Sequence, residues 1–299
     1  MRINVKEYLD IEYEKLQLAV STLEKKPKLV TILIGDRKDS ETYVRNKEKC
    51  IARANMVSET VRIPDGTPLT RIAQQILELN FDKDINGILL QLPLNREYYS
   101  KDDENKLINL IDASKDVDGL TLLNQGKLFI GLNQKNFLTP CTPTGIVKLL
   151  KHIHGDLTAK DVTVIGRSQL LGNSLAQMLM REDANVTMLH SKSKWDIQDY
   201  LNANSADILC LCAGSYNLLY AEYLNPEEKY TIIDAAINVE SNGKLRGDLC
   251  KEDYEKLDED NDVKYTPVPG GVGLLTTYTL AYNLYKAYCL QKNISLKDI

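Results

Sequence analysis

The sequence predicts an α/β protein with two domains, each built on a mainly parallel sheet. Short apolar runs alternate with stretches of helical periodicity along the 299 residues, which is the pattern that such sheets and their covering helices produce. The length accommodates two domains of about 150 residues, each large enough for its own core. One segment, VTVIGRSQLLGNSLAQMLM, predicts a strand, a tight glycine turn and a helix, which is typical of a Rossmann-like dinucleotide-binding domain.

Strands and helices alternate in both halves of the chain. The first half predicts helices over about 3–25, 40–55 and 68–80, with strands at 29–34, near 59–63 and at 87–91. The second half predicts strands at 162–165, 186–189, 208–212, 231–235 and 263–265. It predicts helices at 142–152 and about 276–290 and in the intervals between these strands, including one at about 172–182. Two prolines in FLTPCTP (137–143) mark the joint. We assign 1–138 plus a C-terminal helix at about 274–299 to the first domain and 139–273 to the second.

The composition excludes several classes of function. Basic and acidic residues, 37 and 42 in number, are spread evenly, so no basic stripe indicates nucleic acid. No apolar run approaches the roughly 20 residues that span a bilayer, and the charged first residues predict no signal peptide. His152 and His154 lie outside any zinc-ligand pattern, so we expect no metal. Six cysteines without a CxxC pair indicate reduced thiols in the cytoplasm.

The glycine turn by itself leaves two interpretations open. Gly166 and Gly172 are six residues apart, so the GxGxxG pattern is not met, and many α/β proteins use such a unit for structure alone. The following strand is more informative, because NAD-specific folds commonly end it in an acid that binds the ribose. Here it ends in His-Ser-Lys-Ser (190–193), and Arg167 lies in the turn. Guanidinium and hydroxyl donors suit a 2′-phosphate, so NADP is favoured over NAD.

Three segments of the first half carry polar side chains that are candidates for catalysis or ligand binding. Tyr43 and Lys47 are spaced i, i+4 on one helix face, although a solvated surface pair has the same spacing. Gln91 closes an apolar strand at the end where open α/β sheets place ligands. Asp118 lies in KDVDGL, which ordinary turn chemistry also explains. The Tyr-x-x-x-Lys spacing is shared with short-chain dehydrogenases, but there it follows the glycine turn, whereas here it precedes it by more than a hundred residues.

Six motifs together resemble one family. Over residues 28–287 the chain resembles the bifunctional methylenetetrahydrofolate dehydrogenase/cyclohydrolase family in the order and spacing of six motifs. These motifs are YVRNK, GILLQLPLN, KDVDGL, CTPTG, IGRSQLLG and TPVPGGVG. The resemblance implies two α/β domains with an active-site cleft between them, NADP as cofactor and a homodimer. It implies oxidation of 5,10-methylenetetrahydrofolate to the methenyl compound and hydrolysis of that product to 10-formyltetrahydrofolate, both in one-carbon metabolism.

The resemblance also implies roles for individual residues. Lys47 is the expected catalytic lysine, Tyr43 stacks on the folate, Gln91 holds the lysine and Asp118 binds the pterin N–H groups. Cys141 is expected to be a buried packing residue. The other expected folate-binding residues are Leu92, Pro93, Pro269, Gly270, Gly271, Val272 and Gly273. The expected NADP-binding residues are Gly166, Arg167, Ser168, Gly172, Ser191, Ala213, Gly214, Ile237 and Thr142.

Two departures from the family pattern bear on the cofactor, and two alternative functions stay open. Ser174 replaces a proline of the family, and Ala236 replaces a glycine where the backbone commonly approaches the cofactor. The first alternative is a monofunctional, NAD-linked methylenetetrahydrofolate dehydrogenase. Arg167 and Ser191 argue against NAD, and Lys47 argues for hydrolysis. The second is a folate-binding protein without turnover, from which we would expect the lysine or the glutamine to be missing.

Overall fold

All the strands that the sequence predicts are present, in the predicted order, and so are the predicted helices, except that the only helix in the interval 212–229 is a short 3₁₀ helix, Ala221–Tyr223. The computed structural model describes residues 1–240 and 243–297, so the last two residues of the predicted C-terminal helix lie outside the described residues. The helices are α1 (Val5–Ser21), α2 (Lys38–Arg53), α3 (Leu69–Phe81), α4 (Lys101–Ile108), α5 (Leu122–Phe129), α6 (Cys141–His154), α7 (Ser174–Met180), α8 (Ile197–Ala203), α9 (Tyr254–Glu259) and α10 (Val272–Lys292). The strands are β1 (Lys28–Ile34), β2 (Val57–Ile63), β3 (Gly87–Leu90), β4 (Asp161–Ile165), β5 (Asn185–Leu189), β6 (Ile208–Leu211), β7 (Tyr230–Asp234), β8 (Asn238–Val239), β9 (Leu245–Arg246) and β10 (Val263–Tyr265).

The chain forms two compact units, which are named here by their sheets. The three-stranded unit comprises Asp10–Cys141 and the chain from Thr277 onward. The five-stranded unit comprises Met1–Leu9 and Thr142–Thr276. Assignment of folate to the first domain and NADP to the second stays a prediction. No helix among the described residues is long and apolar enough to cross a membrane.

The three-stranded unit contains a parallel sheet of order β2-β1-β3. β1 is the central strand, and its residues after Lys28 are buried, because it has a strand along each edge and both of its faces are covered. β2 lies at the edge and alternates exposed with half-buried residues, as one-sided burial requires. The apolar core on this sheet includes Val30, Ile32, Ile72, Ile76, Ile88 and Leu107.

The five-stranded unit contains a parallel sheet of order β10-β7-β6-β4-β5. From β4 the chain continues to β5 on one side, and then returns to β6 on the other side. The strand order therefore reverses at the carboxyl end of β4, which is where open α/β sheets bind their ligands. The core includes Leu201, Leu209, Leu211, Ile232, Leu257 and Val263, and β8 and β9 form a short antiparallel hairpin outside the sheet.

The structure differs from the sequence prediction mainly at element ends. β3, β6 and β7 each end one residue earlier than predicted, so that Gln91 follows β3 instead of closing it. α1 ends at Ser21, about four residues earlier than predicted, and the next two amides, of Thr22 and Leu23, bond three residues back to the Ala19 and Val20 carbonyls. α10 begins at Val272, so the last part of the predicted loop 269–273 is the first turn of a helix. α4 and α5 were not predicted, because each has only eight residues and a mixed pattern.

Candidate active site

A lysine–glutamine pair lies at the carboxyl end of the three-stranded sheet. α2 carries Lys47 one turn after Tyr43, and Lys47 Nζ donates a hydrogen bond of 3.1 Å to Gln91 Oε1. Gln91 is 6% exposed, and its Nε2 donates to the Leu92 carbonyl at 2.8 Å. These two contacts fix the orientation of the amide, since its oxygen faces a donor and its nitrogen faces an acceptor. The structure thus brings together the lysine and glutamine that the sequence predicted to act as a pair.

Apart from Asp118, the other first-half residues that are predicted to contact folate lie close to this pair in the sequence. Tyr43 is 49% exposed, so its ring has a free surface for a planar ligand. Leu92 is half-buried and Pro93 is exposed, with a cis peptide bond between them. The segment is held in place by Glu104, a fully buried carboxylate that accepts a hydrogen bond of 2.8 Å from the Leu94 amide.

The two aspartates of KDVDGL have different environments. Asp116 is 2% exposed and accepts hydrogen bonds from the Leu120 and Thr121 amides and from Asn124 Nδ2, at 3.1, 2.8 and 3.0 Å. Burial raises the pKa of Asp116. Its oxygens are thus occupied in stabilising the loop, whereas Asp118 is only half-buried. The structure therefore separates a structural carboxylate from one that is accessible to a ligand.

Cys141 lies against Asp118. The thiol is 4% exposed and donates to the Val117 carbonyl at 3.3 Å, which agrees with its predicted packing role. Burial raises the pKa of the Cys141 thiol, the Asp118 carboxylate raises it further, and the Lys47 ammonium opposes both effects. Asp118, Cys141 and Lys47 are therefore close enough to interact electrostatically. A thiol with a raised pKa is a poor nucleophile.

Sequence reasoning missed Asn283 of α10. This fully buried side chain donates hydrogen bonds of 2.8 Å to the Val117 and Thr139 carbonyls, which lie next to the Asp118 loop and to the start of α6. An amide inside a helix rich in tyrosine and leucine was the available signal, because a buried polar group needs specific partners. Asn283 thus connects two loops of the candidate site.

The glycine turn after β4 is closely packed. Gly166 has a φ of +120°, and a Cβ there would lie 2.4 Å from the Cys212 carbonyl oxygen. A Cβ at Gly172 would lie 2.0 Å from the Gly166 oxygen. The turn continues as one π-helical turn, Gln169–Asn173, and Ser174 Oγ donates to the Gln169 carbonyl at 2.8 Å. Ser174, which departs from the family pattern, thus supports the turn through its hydroxyl.

The residues predicted to bind the 2′-phosphate lie at the ends of neighbouring strands. Ile165 pairs with Leu189, and the Gly166 amide donates to the Leu189 carbonyl at 2.8 Å, so the turns that follow β4 and β5 begin side by side. Arg167, Ser168 and Ser191 are exposed there. Arg167 forms no ion pair with the part of the chain that the structure describes. Cationic and hydroxyl donors without a carboxylate in 190–195 fit a phosphorylated ribose.

The other predicted cofactor and folate residues of the five-stranded unit differ in exposure and in hydrogen bonding. The Ala213 and Gly214 amides donate to a buried carboxylate, Asp248, at 2.8 and 3.0 Å. Ile237 is exposed, and Thr142 Oγ1 lies 2.9 Å from Thr276 Oγ1. Of the predicted folate residues in TPVPGGVG, Pro269, Gly270 and Gly273 are exposed, whereas Gly271 and Val272 are buried. Their roles as ligand contacts stay predictions.

The parallel sheet with a glycine turn at its reversal point defines a dinucleotide-binding protein, and the comparisons with known proteins identify its family. The family model described as "Tetrahydrofolate dehydrogenase/cyclohydrolase, catalytic domain" matches residues 3–118. The model described as "Tetrahydrofolate dehydrogenase/cyclohydrolase, NAD(P)-binding domain" matches residues 140–292. The chain belongs to the tetrahydrofolate dehydrogenase/cyclohydrolase family, which confirms the family predicted from the six motifs.

Individual relatives agree over nearly the whole chain. A "Bifunctional protein FolD" from Listeria innocua is 40% identical over 263 residues, which are 88% of this chain and 87% of the relative. The protein of that name from Wolbachia sp. subsp. Brugia malayi is 37% identical and covers 95% of this chain and 94% of its own length.

Solved structures give the same result. The bifunctional FolD of Campylobacter jejuni superposes with a TM-score of 0.87 at 31% identity, over 98% of this chain and 99% of that one. The Trypanosoma brucei FolD, complexed with NADP cofactor and inhibitor, has a TM-score of 0.84 at 29% identity and covers 98% of both chains. An NAD-dependent 5,10-methylenetetrahydrofolate dehydrogenase from Saccharomyces cerevisiae shares the fold at 17% identity, with a TM-score of 0.76 and coverage of 98% of both chains.

Proposed function

We propose that this protein oxidises 5,10-methylenetetrahydrofolate to 5,10-methenyltetrahydrofolate with NADP, and hydrolyses the product to 10-formyltetrahydrofolate. Both reactions belong to one-carbon folate metabolism. The observation that carries the proposal is the hydrogen bond between Lys47 and Gln91, with Asp118 close by, in a chain of the tetrahydrofolate dehydrogenase/cyclohydrolase family. The two relatives described above are named bifunctional, which supports both activities.

In the oxidation the protein acts mainly by orienting its ligands. NADP, which Arg167 and Ser191 would hold, would supply the acceptor for the hydride that leaves the one-carbon bridge of the folate. Tyr43 offers the face of an exposed ring to the planar folate, and Asp118 offers carboxylate oxygens to the N–H donors of the pterin. No proton transfer is required of these side chains in this step.

In the hydrolysis Lys47 moves the proton. Addition of water to the methenyl carbon and opening of the ring both require proton transfer, for which a positioned amine is suitable. Gln91 holds Lys47 Nζ through a neutral amide oxygen, so Gln91 orients the lysine without adding a negative charge of its own. The contact between Gln91 and the Leu92 carbonyl keeps that oxygen directed at the lysine.

The proposed cofactor preference rests on the turns after β4 and β5. Arg167 and Ser191 supply a cation and a hydroxyl, and the segment 190–195 contains no acid that would select an unmodified ribose. Ala236 is buried, and its amide donates to Asp234 at 3.3 Å, so the extra methyl group fits within the fold. These features support NADP as the cofactor.

We further propose that the protein is a cytoplasmic homodimer. All six cysteines are free and buried, which suits a reducing compartment. The homodimer is proposed from the family resemblance. Light scattering of the purified protein tests the dimer directly, because a mass near 34 kDa would contradict it.

A single assay separates the proposed function from its alternatives. Purified protein is mixed with 5,10-methylenetetrahydrofolate and either NADP or NAD, and the absorbance of methenyltetrahydrofolate and of the reduced cofactor is followed separately. We expect reduced cofactor with NADP and little accumulation of the methenyl compound. Reduction of NAD with accumulating methenyltetrahydrofolate would indicate a monofunctional NAD-linked enzyme. Folate binding without reduction of either dinucleotide would indicate a protein without turnover.

A further inference from the structure

A buried carboxylate in the five-stranded unit is bonded to three consecutive backbone amides. Asp248 is fully buried, and its Oδ2 accepts hydrogen bonds from the Ala213 and Gly214 amides at 2.8 and 3.0 Å. Its Oδ1 accepts from the Ser215 amide at 2.6 Å and from Asn238 Nδ2 at 3.2 Å. A carboxylate offers about four acceptor positions, so all of them are used within the protein.

The groups that Asp248 holds lie on one side of the nucleotide turn. Residues 213–215 follow β6, and Asn238 follows β7, whereas Arg167 and Ser191 lie at the ends of β4 and β5. Dinucleotides bind across the point where the strand order reverses, with the adenosine ribose at the end of the second strand. Since β5 is that second strand, the loops after β6 and β7 face the other half of the cofactor, which carries the nicotinamide.

A second buried carboxylate fixes the segment that carries Asp248. Asp234, the last residue of β7, accepts hydrogen bonds from the Asp248 and Leu249 amides at 3.1 and 2.9 Å. Gly247 is packed so closely against Asp234 that a Cβ there would lie 1.8 Å from the carboxylate oxygen. Asp248 is therefore anchored to the sheet through its own backbone. The loop 213–215, whose residues are exposed, is anchored through the side chain of Asp248.

We propose that Asp248 is a positioning residue that shapes the binding surface for the nicotinamide half of NADP, by holding the amides of 213–215 and the side chain of Asn238. The proposal rests on the proposed function, because it concerns the same cofactor. Asp248 does not touch the cofactor, since its oxygens are already occupied. Its effect is to restrict an exposed loop to one conformation, which lowers the entropic cost of binding.

The test compares a whole cofactor with half of it. Asp248→Asn keeps the shape of the side chain, but turns an NH₂ group toward backbone N–H donors and so releases part of the loop. Isothermal titration calorimetry measures the affinity for NADP and for adenosine 2′,5′-bisphosphate, which lacks the nicotinamide half. We expect NADP to bind roughly ten- to a hundredfold more weakly, because one or two loop residues that the carboxylate had held in place must then be ordered on binding. The affinity of the variant for the bisphosphate should stay unchanged. Its cyclohydrolase activity, which depends on Lys47 in the other unit, should also stay unchanged.

A matched control comes from Asp253. This carboxylate of the same unit is also buried and also accepts a backbone amide, from Ala221 at 2.9 Å, but it holds no predicted cofactor residue. Asp253→Asn should leave the ratio of the two affinities as it is in the unmodified protein. Should Asp248→Asn fail to fold, Asn238→Ala removes one partner of the carboxylate and should weaken NADP selectively, by a smaller factor.

Two outcomes would overturn the role of Asp248. One is equal weakening of NADP and adenosine 2′,5′-bisphosphate, which would mean that Asp248 stabilises the unit as a whole. The other is unchanged affinity for both. The unmodified protein gives a separate result, because failure to bind NADP at all would contradict the proposed function, whatever the variant does.

Discussion

At the scale of single residues, Lys47 is the side chain on which the proposed hydrolysis depends. Lys47→Met keeps most of the volume and removes the group that carries the proton, so cyclohydrolase activity should fall by about 10²–10⁴-fold. NADP affinity should stay unchanged, because the proposed cofactor residues belong to the five-stranded unit. Lys49, an exposed lysine on the same helix, provides the control, and Lys49→Met should leave both activities unchanged. Hydrolysis of methenyltetrahydrofolate by Lys47→Met at a near-normal rate would show that another group moves the proton.

The neighbouring aspartates of KDVDGL permit a matched comparison of binding and stability. Asp118→Asn replaces an acceptor oxygen with a donor facing pterin donors, so the folate dissociation constant should rise about tenfold or more. The melting temperature should change little, because Asp118 is half-buried. Asp116→Asn should lower the melting temperature and leave the folate affinity of the folded protein unchanged, since the Asp116 carboxylate accepts three hydrogen bonds inside the loop. Folate titration and thermal melting of both variants decide between the roles, and a lower melting temperature for Asp118→Asn with folate affinity intact would make Asp118 structural.

At the scale of elements, the loop that carries Asp118 requires a glycine for two reasons. Gly119 has a φ of +68°, and a Cβ there would lie 2.4 Å from the Thr139 carbonyl carbon. Gly155, after α6, has a φ of +75° but no heavy atom within 4 Å of the corresponding Cβ. Gly155→Ala should therefore lower the free energy of unfolding by about 1–2 kcal/mol, which is the cost of placing alanine in a left-handed backbone conformation. Gly119→Ala should cost clearly more, because backbone must also move. Chemical denaturation measures the free energy of unfolding of both variants. An equal decrease in the two would mean that the backbone near Gly119 moves aside at no energetic cost.

Element positions were predicted well where the sequence is periodic, and less well elsewhere. β1 is apolar apart from Lys28 and Thr31, and β4 is followed by a glycine turn, so both were placed within one residue. α4 depends on a capping box between Ser100 and Asp103, and α5 on Thr121, whose side chain accepts from Asn124. Such caps are local hydrogen bonds of a kind that also occurs in turns, so pattern alone does not distinguish an eight-residue helix of mixed composition from a loop.

At the scale of the whole molecule, the sequence predicted the elements of both sheets, the family and the lysine–glutamine pair. It missed the roles of Asn283 and Asp248, and the reason is physical. Asn283 bonds to carbonyls 166 and 144 positions away, and Asp248 bonds to amides 33 to 35 positions away. Helical and strand patterns arise from neighbours a few residues apart, so they carry no information on such contacts. A buried polar side chain becomes informative only when the fold shows what surrounds it.

The stability of the whole chain should depend on pH through Asp234. Burial, together with the nearby Asp248 carboxylate, raises the pKa of Asp234 to about 7 from a usual value of 3.8. Its other titratable neighbours, Cys212 and Tyr254, are themselves buried. Between these two pH values the folded protein holds a proton that the unfolded chain has lost, so this group's contribution to the free energy of unfolding decreases as pH rises through about 7.

The matched variant for this dependence is Asp234→Asn, which removes the titrating group. A lower free energy of unfolding of this variant does not affect the comparison, because the quantity compared is the slope of the free energy of unfolding against pH. Denaturant unfolding between about pH 5 and pH 8 should show a steeper fall for the unmodified protein, by at most about 1.4 kcal/mol per pH unit. Above this range the two slopes should become equal, because Asp234 is then ionised in both the folded and the unfolded state. Parallel slopes across the whole range would mean that Asp234 is already ionised in the folded protein, held so by the amides of Asp248 and Leu249.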